Sequence, residues 1–390
     1  MKKLLITLVL LSFLYPHCIY AQNEEPIKDQ LILEQLENTD LEGLEESVKS
    51  LNHDLEDYFP TIDIKKLLLS FVKGEETFEL KKILQGLFKY IFKEIVANSS
   101  LLAKLIVLSI LCAFLNNLST AFESEAVGKM AYMACYLMVI SIAVKSFSIA
   151  TSIGIQAIDD MVSFMQALLP VLLTFLISMG AITSTALFQP VVVASVSIIS
   201  TLIKDLIMPI IFFSVILSIV NHLSSKLQVS RLASFLKQVC IVLIGFMLTI
   251  FTGIITIQGL TASTTDGVTI RTAKFAADQF IPVVGGFISD AFDTIVGYSL
   301  LLKNATGALG LIVLAFIVMM PLLKILSLIF IYKVTTAVIE PIAENPLIEC
   351  LNDMSNAMIL ILGSVICVAI MFFLAVTMIV GAGNITMMMR

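Results

Sequence analysis

Charged residues are concentrated in the first quarter of the chain. Of its 54 charged residues, 28 lie before Leu101, which leaves 26 for the remaining 290 of the 390 positions. Those positions form one apolar block after another, and the whole chain has a mean hydropathy of +0.99 with 58% apolar residues. A soluble domain could not bury that much apolar surface, so lipid must solvate much of the molecule. The sequence therefore predicts an all-α, polytopic membrane helix bundle.

The start of the chain has the features of a secretion signal. Two lysines precede an apolar run from Leu4 to Leu14, and the small residue Ala21 stands before Gln22. This pattern predicts a Sec signal peptide over residues 1–21, although the bulky Ile19 leaves an uncleaved first anchor as the alternative. In both cases the following segment begins outside the cytoplasm.

Residues 22–60 form an acidic arm. They carry twelve acidic residues against two lysines, whereas the net charge of the whole chain is −6. Apolar residues recur at loosely helical spacing from Leu31 to Leu51, which predicts a short acidic helix pair with one apolar face. So short a segment cannot bury that face alone. Two interpretations remain open: a solvated arm, or an arm whose apolar face docks a partner outside the membrane.

Residues 61–100 contain a more distinct amphipathic pattern. A short helix is predicted from Ile64 to Val72, and nine apolar residues between Leu80 and Val96 follow a 3.6-residue period with the lysines off that stripe. A helix that is basic on one face and apolar on another suits a membrane surface. Packing on the protein's own membrane helices would give the same pattern, so this alternative stays open too.

From Leu101 onward the hydropathy predicts seven to nine spans in two blocks, residues 101–257 and 305–390. Three of the candidates are shorter than the roughly 20 residues that cross a ~30 Å hydrocarbon core, so half-helices, re-entrant pieces and snorkelling lysines are considered for them. The candidates are Leu101–Ala121, Met130–Val144, Met161–Met179, Thr185–Ile203, Leu206–Val220, Val239–Ile257, Ala305–Leu323, Ile325–Ile339 and Ala357–Val380.

Loop charges orient these spans. Residues 221–238 hold three basic residues and no acid, which places them in the cytoplasm by the positive-inside rule. Residues 340–356 hold four acids and no base, so we expect them outside. Nine crossings from an outside N-terminus satisfy both assignments and leave Arg390 in the cytoplasm. If residues 185–220 formed one span and not two, one crossing fewer would precede the basic loop, and the nine-crossing scheme would place that loop outside the cytoplasm.

Catalytic constellations are not found in the sequence. His17, His53 and His222 are too scattered to ligate a metal or to serve a nucleophile, and no glycine pair has the context of a phosphate-binding loop. The cysteines lie in apolar segments or loops and predict no disulfide framework. We therefore expect no enzyme activity, no cofactor or metal site and no nucleic-acid partner.

Polar residues at membrane depth are the candidate functional positions. An unpaired charge inside an apolar run costs several kcal/mol, so such a residue must face protein or a wet cavity. Lys204-Asp205 is interpreted either as a turn between two short helices or as a cavity lining, and Lys324 is expected to snorkel at a helix end. Asp159 also lies at this depth, and the candidate channel-lining residues are Asp160, Gln166, Gln189, Lys204, Asp205 and Lys324.

Residues 258–304 fit neither a soluble loop nor a membrane span. A ~47-residue insertion of this kind is usually functional. Its charges Asp266, Arg271, Lys274 and Asp278 include three on neighbouring helical turns, which can pair or hold a partner. We expect a helix that lies against the bundle at the outer membrane face, is ended or kinked by Pro282 and is followed by a partial, re-entrant span. A surface amphipathic helix is the alternative.

The same insertion resembles a known family. Its stretches DGVTIRTAKF at 266–275, FIPVVG at 280–285 and LLLKN at 300–304 are similar to the signature of the stage III sporulation protein AE family of endospore-forming bacteria. The likeness runs along nearly the whole chain and is weakest in the acidic arm. Further matching stretches are 71–74, 94–98 and 383–390.

This resemblance implies a permease-like subunit of the secretion-like channel complex that links mother cell and forespore. It implies a multi-pass protein of the mother-cell membrane around the forespore, required for late forespore gene expression and spore formation. The implied partners are ring-forming membrane proteins, a secretion-type ATPase and the lipid bilayer, with a homo-oligomer also open. A structural anchor that conducts nothing and a secondary transporter are the alternatives.

Overall fold

Helices account for nearly all of the residues that the computed structural model of the protein describes. These are residues 41–55, 63–73, 80–121, 125–223, 228–280, 285–343 and 345–388. The predicted signal peptide, the arm up to residue 40 and Arg390 lie outside the described residues. The described helices are α1 Glu42–Leu55, α2 Ile64–Lys73, α3 Leu80–Ala97, α4 Ser99–Ala121, α5 Glu125–Ser178, α6 Ile182–Leu202, α7 Met208–Leu223, α8 Ser230–Phe280, α9 Gly285–Ile339 and α10 Asn345–Met388.

Six stretches of the described helices are long and apolar enough to cross a membrane. The all-α, polytopic bundle is therefore confirmed for the described part of the chain, but with fewer spans than the seven to nine expected. The stretches are Ser99–Asn117, Met130–Ser178, Ile182–Leu223, Ser230–Gln258, Thr294–Ile339 and Pro346–Ala382.

The difference arises because three pairs of predicted short spans are continuous helices. Two apolar runs lie within α5 and two within α9, and α6 continues into α7 through a π-helical segment, Ile203–Ile207. One unbroken helix can cross a bilayer only once, so the nine-crossing scheme is wrong for these segments. In the sequence, the charged residues between two apolar runs suggested that the chain reverses there. In the structure, these charged residues lie inside continuous helices. At ~1.5 Å per residue, helices of this length greatly exceed a ~30 Å hydrocarbon core.

The reversal between α5 and α6 was located correctly and has a local cause. Gly180 adopts a φ of 81°, a left-handed conformation that glycine tolerates without a steric penalty. The Gly180 N–H donates to the Ile177 carbonyl at 2.7 Å, and the Ala181 N–H donates to the Leu176 carbonyl at 3.1 Å. These two bonds form a Schellman motif, which satisfies carbonyls at the end of a helix.

The insertion at 258–304 is divided between two helices. α8 continues beyond its apolar part to Phe280, and α9 begins at Gly285. The helix expected through Asp266 and Asp278 is thus the last part of α8. The segment after Pro282 is the first part of a 55-residue helix and not a separate re-entrant piece.

Glycines bring the central helices α5, α9 and α10 close together. A Cβ at Gly154 of α5 would lie 2.7 Å from the Ile361 side chain of α10, and one at Gly310 of α9 would lie 2.6 Å from Leu168 of α5. Small residues permit this close approach of helices in a membrane bundle. α4 and α8 lie at the periphery, with 22% and 17% of their span residues buried against 44–56% for the other four.

The helices before the membrane block pack on its flank. α1 contacts α5 and α9, while α2 and α3 contact α9. The apolar stripe of α1 is buried there, with exposures between 1% and 7% for Leu41, Leu44, Val48 and Leu51. For this helix the structure answers the question left open by the sequence: its apolar face docks on the protein's own bundle.

The predicted amphipathic helix is α3, which packs on α9, while the membrane-surface interpretation of its apolar stripe remains a prediction. Gly86 and Tyr90 are buried on the side that packs against the bundle. The larger apolar residues lie on the outer side, where exposures run from 55% to 67% for Leu84, Phe88, Phe92 and Val96.

Candidate functional site

Charged residues interrupt the long helices at a shared height in the bundle. Lys204, in the π-helical segment, forms an ion pair with Asp159 of α5. The next residue of α5, Asp160, lines a cavity together with Lys324 of α9. We call Asp159, Asp160, Lys204, Asp205 and Lys324 the charged belt. It separates two apolar runs in α5, in the α6–α7 unit and in α9, which is why the sequence suggested pairs of short spans there.

A proline follows the π-helical segment two residues after its end. Pro209 has no N–H and cannot donate to the carbonyl of Asp205, four residues earlier, so regular α-helical bonding fails there. The Met208 N–H instead donates to the Ile203 carbonyl, five residues earlier. Such π-bulges are frequent at functional sites. Lys204 is therefore neither in a turn nor among the residues that line the cavity: it joins the α6–α7 unit to α5.

A half-open cavity of about 490 Å³, with charged groups in its lining, lies between α1, α5 and α9 beside the charged belt. Both signs of charge face it, since its lining includes the carboxylates of Glu46 and Asp160 and the ammonium of Lys324. Hydroxyl and amide groups complete the polar lining, from Ser47, Ser50, Gln156 and Ser163. Apolar side chains supply the rest of the lining, from Leu51, Ile153, Ala157, Ala167, Ile317 and Met320. The charged and hydroxyl groups give this mixed lining a side that binds water or a polar solute.

Pro321 contributes a further polar group. It lies inside α9 and lines the cavity with Ile317, four residues earlier. Because proline has no N–H, the Ile317 carbonyl cannot accept the usual intrahelical bond from this position. Lys324, expected at a helix end, instead lies inside the continuous α9 and is half-buried at the cavity.

The remaining predicted site residues are not gathered at this cavity. Gln166 and Gln189 are exposed on α5 and α6 and do not line it. The positions of Asp266, Arg271, Lys274 and Asp278 fall on the last turns of α8, but their side chains lie outside the described ones. A functional role for these four remains a prediction.

An ionic network that the sequence did not reveal joins α7, α8 and α10. Asp353 of α10 accepts hydrogen bonds from Ser218 and from Lys237, whose Nζ lies 2.9 Å from Asp353 Oδ1. His222 Nε2 lies 3.5 Å from Asp353 Oδ2, and its Nδ1 lies 3.7 Å from Glu349 Oε2. We call this group the Asp353 clamp.

The clamp corrects the predicted topology. His222 and Lys237 belong to the basic segment 221–238, and Glu349 and Asp353 belong to the acidic segment that was expected on the opposite side of the membrane. Direct contacts between these residues place both segments at the same end of the bundle. The opposite charges of Lys237 and Asp353 were the available signal, but acidic loops carry little topological weight and were misleading here.

A second missed residue is Lys303, which is fully buried in α9. Its Nζ donates to the Val380 carbonyl of α10 at 2.7 Å. Gly307, one turn further along α9, lies so close to Val380 that a Cβ there would clash with the valine side chain. The signal for this site was a lysine inside an apolar run, within the LLLKN stretch that carries the family resemblance.

Comparison with known proteins agrees with this resemblance. Residues 62–383 match the family described as stage III sporulation protein AE. The stage III sporulation protein AE of Bacillus subtilis (strain 168) is 43% identical over 326 residues, which cover 84% of this chain and 82% of that protein. No solved structure matches the chain. The match includes the charged belt and the Asp353 clamp and begins after α1. The chain therefore belongs to the stage III sporulation protein AE family.

Proposed function

We propose that this protein is a permease-like, non-enzymatic membrane subunit of the channel complex that links mother cell and forespore. The observation that carries the proposal is the cavity beside the charged belt, whose charged residues Asp160 and Lys324 lie inside otherwise apolar helices. Charges at such positions are costly in lipid and are typical of solute and ion pathways. The role in late forespore gene expression follows from the family alone.

The surroundings of the cavity indicate where the bilayer lies. The exposed glutamates of α1 stand beside the cavity, so this flank faces water. α4, whose apolar span is only 19 residues long, packs on the first part of α5, where the Cys135 thiol lies 3.4 Å from the Leu108 carbonyl. We infer that the hydrocarbon core surrounds the half of the bundle that α4 accompanies, and that the cavity opens at its outer edge.

Crossing parity orients the molecule. With the N-terminal region outside, three crossings precede the loop at 224–229, which then lies in the cytoplasm as its charge favours. Five crossings precede residues 340–344, which then lie in the cytoplasm as well, in agreement with the Asp353 clamp. The C-terminus follows the sixth crossing and lies outside. In the family context, this membrane is the mother-cell membrane around the forespore.

Exposed apolar residues suggest where the partners bind. Ile182 and Ile198 of α6 are 66% and 57% exposed and lie on the far side of the belt from α4. Apolar surface beyond the bilayer marks protein contact sites. We therefore propose that α6 faces other membrane or ring-forming subunits of the complex or a second copy of the chain, while a secretion-type ATPase acts from the cytoplasm.

A structural anchor is the second candidate. Close helix contacts at Gly154 and Gly310 fill the centre of the bundle. An anchor of this kind would assemble the complex without conducting, and its polar cavity would be dispensable.

Thiol labelling separates the two candidates. The five described native cysteines are buried, so an impermeant thiol reagent should react little with the unmodified protein. Ser163→Cys lines the cavity and should react in sporulating cells, whereas Ile149→Cys, on a lipid-facing part of the same helix, should not. A Ser163→Cys protein that is present but unreactive contradicts a wet cavity.

Charge removal supplies the functional readout. Asp160→Asn and Lys324→Gln should lower spore yield about tenfold or more at unchanged protein abundance, because the cavity loses its charged groups. Lys145→Gln is the matched control, since Lys145 is exposed on α5 and does not line the cavity. Normal spore yield in both cavity variants would favour the anchor.

A further inference from the structure

A second open space lies between α5 and α7, next to the ion pair of Asp159 and Lys204. Its volume is about 270 Å³, and we call it the α5–α7 crevice. The hydroxyl of Thr151 in its wall already donates to the Phe147 carbonyl at 3.0 Å, so the lining side chains present an apolar surface. The lining residues are Thr151, Ile155, Met208, Pro209, Phe212 and Phe213.

The α5–α7 crevice has a charged end and an apolar end. Ile155 stands one helical turn before Asp159 on α5, and Met208 stands about one turn after Lys204 on the facing helix. The ion pair between Asp159 and Lys204 therefore closes one end of the crevice. Phe212 lies one turn beyond Met208, at the other end. A molecule with a charged head and an apolar chain matches this arrangement.

The orientation of the crevice matches that of a lipid. Both of its walls belong to apolar stretches that can span a membrane, Met130–Ser178 and Ile182–Leu223. Thr151 and Ile155 lie between Cys135, where α4 packs, and the charged belt. In the proposed function the belt marks the outer edge of the hydrocarbon core, so the crevice lies within that core. Phe213 is 59% exposed, so the crevice is open to the surrounding lipid.

The charges at the end of the crevice favour a particular headgroup. The Lys204 ammonium carries three donors, of which one is directed at Asp159 Oδ1. The Asp159 side chain is 51% exposed, so its Oδ2 can accept from a further donor. Asp205 adds a second exposed carboxylate. Two carboxylates against one ammonium repel a purely anionic headgroup and attract one that carries its own ammonium.

We propose that the α5–α7 crevice binds a phospholipid with an ethanolamine headgroup. An acyl chain lies between the helices, the phosphate accepts a hydrogen bond from Lys204, and the primary ammonium donates to Asp159. A choline headgroup cannot donate such a bond, and a glycerol headgroup has no cation. This inference rests on the proposed function, which supplies the position of the bilayer. The bound lipid fills the space beside the ion pair that joins the α6–α7 unit to α5.

Tryptophan quenching tests the site in the whole chain. Phe213→Trp places a tryptophan in the crevice wall of a protein that has none. The variant is reconstituted in phosphatidylcholine liposomes that contain a small fraction of a lipid brominated on its acyl chains. The brominated ethanolamine lipid should quench about threefold more strongly than the brominated choline or glycerol lipid at equal mole fraction. Phe246→Trp is the matched control, since Phe246 of α8 is 61% exposed and does not line the crevice. There the three lipids should quench equally.

A charge variant tests the headgroup contact. Asp159→Asn in the Phe213→Trp background keeps the side-chain shape but removes the carboxylate, so the preference for ethanolamine should disappear and quenching by the glycerol lipid should rise. Lys145→Gln, on an exposed part of α5, should leave the preference unchanged. Native mass spectrometry of the unmodified protein should show one retained ethanolamine lipid.

Two results would overturn the lipid site. Equal quenching by the three lipids in Phe213→Trp would exclude recognition of the headgroup. No quenching by any of them, while the Phe246→Trp control is quenched, would mean that lipid does not enter the crevice. Neither result affects the labelling of Ser163→Cys, so the wet cavity of the proposed function is judged separately.

Discussion

At the residue scale, the side chain of Asp353 contacts residues of two other helices. Substitution of Asp353 is therefore the most direct test of whether the Asp353 clamp holds these helices together. The side chains of Asp353 and Lys237 are 32% and 19% exposed. Asp353→Ala leaves Lys237 partly buried without its carboxylate partner, which should destabilise the protein by ~2–4 kcal/mol. Thermal unfolding of the purified protein in detergent measures this change.

Two controls accompany Asp353→Ala. Glu349→Ala removes a residue whose side chain is 65% exposed, so it should change stability by no more than ~1 kcal/mol. The double variant with Lys237→Met should recover part of the loss, because it removes the unpaired charge. Equal effects of Asp353→Ala and Glu349→Ala would show that the clamp does not hold the helices.

Gly307 tests the close contact between α9 and α10. Gly307→Ala places a methyl group against Val380, so the valine must move and stability should fall by ~1–3 kcal/mol. Gly297→Ala lies on the same helix with nothing within 4 Å of the added carbon. It should be neutral or stabilising, because alanine favours the helix by up to ~1 kcal/mol. The measurement is again thermal unfolding, and the prediction fails if both changes have the same sign.

At the scale of elements, α3 is predicted to place its outer stripe at the membrane interface. The chain contains no tryptophan, so Phe88→Trp introduces a single tryptophan on that stripe, whose emission can be excited apart from that of the tyrosines. In liposomes its emission should shift to the blue and brominated lipids should quench it, because the ring lies at the acyl boundary. Lys82→Trp on the basic face is the control and should remain unshifted. Equal quenching at both positions would contradict an interfacial α3.

The bounds of a helix could be predicted from the sequence wherever one apolar face dominates its hydrophobic pattern. The 3.6-residue period located α3 to within a residue at each end, and the end of α5 was expected at Met179, next to Gly180. Hydropathy failed at Asp160 and Lys324, because a charge inside an apolar run looks the same whether the chain turns or a long helix passes a wet cavity. The Asp353 clamp could not be predicted, since it depends on which helices meet.

At the scale of the whole molecule, the charged belt explains why one bundle produced a pattern of short spans. Helices such as α5 are too long for one hydrocarbon core, and their charges collect where α1 brings acidic residues to the flank. The depth at which a helix lies in the membrane is therefore decided by the arrangement of its neighbouring helices. The apolar runs of one helix alone do not determine it. The same arrangement fixes which loops share a side.

Reporter fusions test that arrangement. Fusions at Lys226 and at Glu340 should both score as cytoplasmic, because the Asp353 clamp holds the adjoining helix ends together and a single crossing cannot separate them. A fusion after Met388 should score as extracytoplasmic, since one more span, Pro346–Ala382, intervenes. A fusion in α1, before the first span, provides the extracytoplasmic reference. Opposite results at Lys226 and Glu340 would require the contacts of Asp353 to be broken in the membrane, and would return the molecule to a scheme with an additional crossing between them.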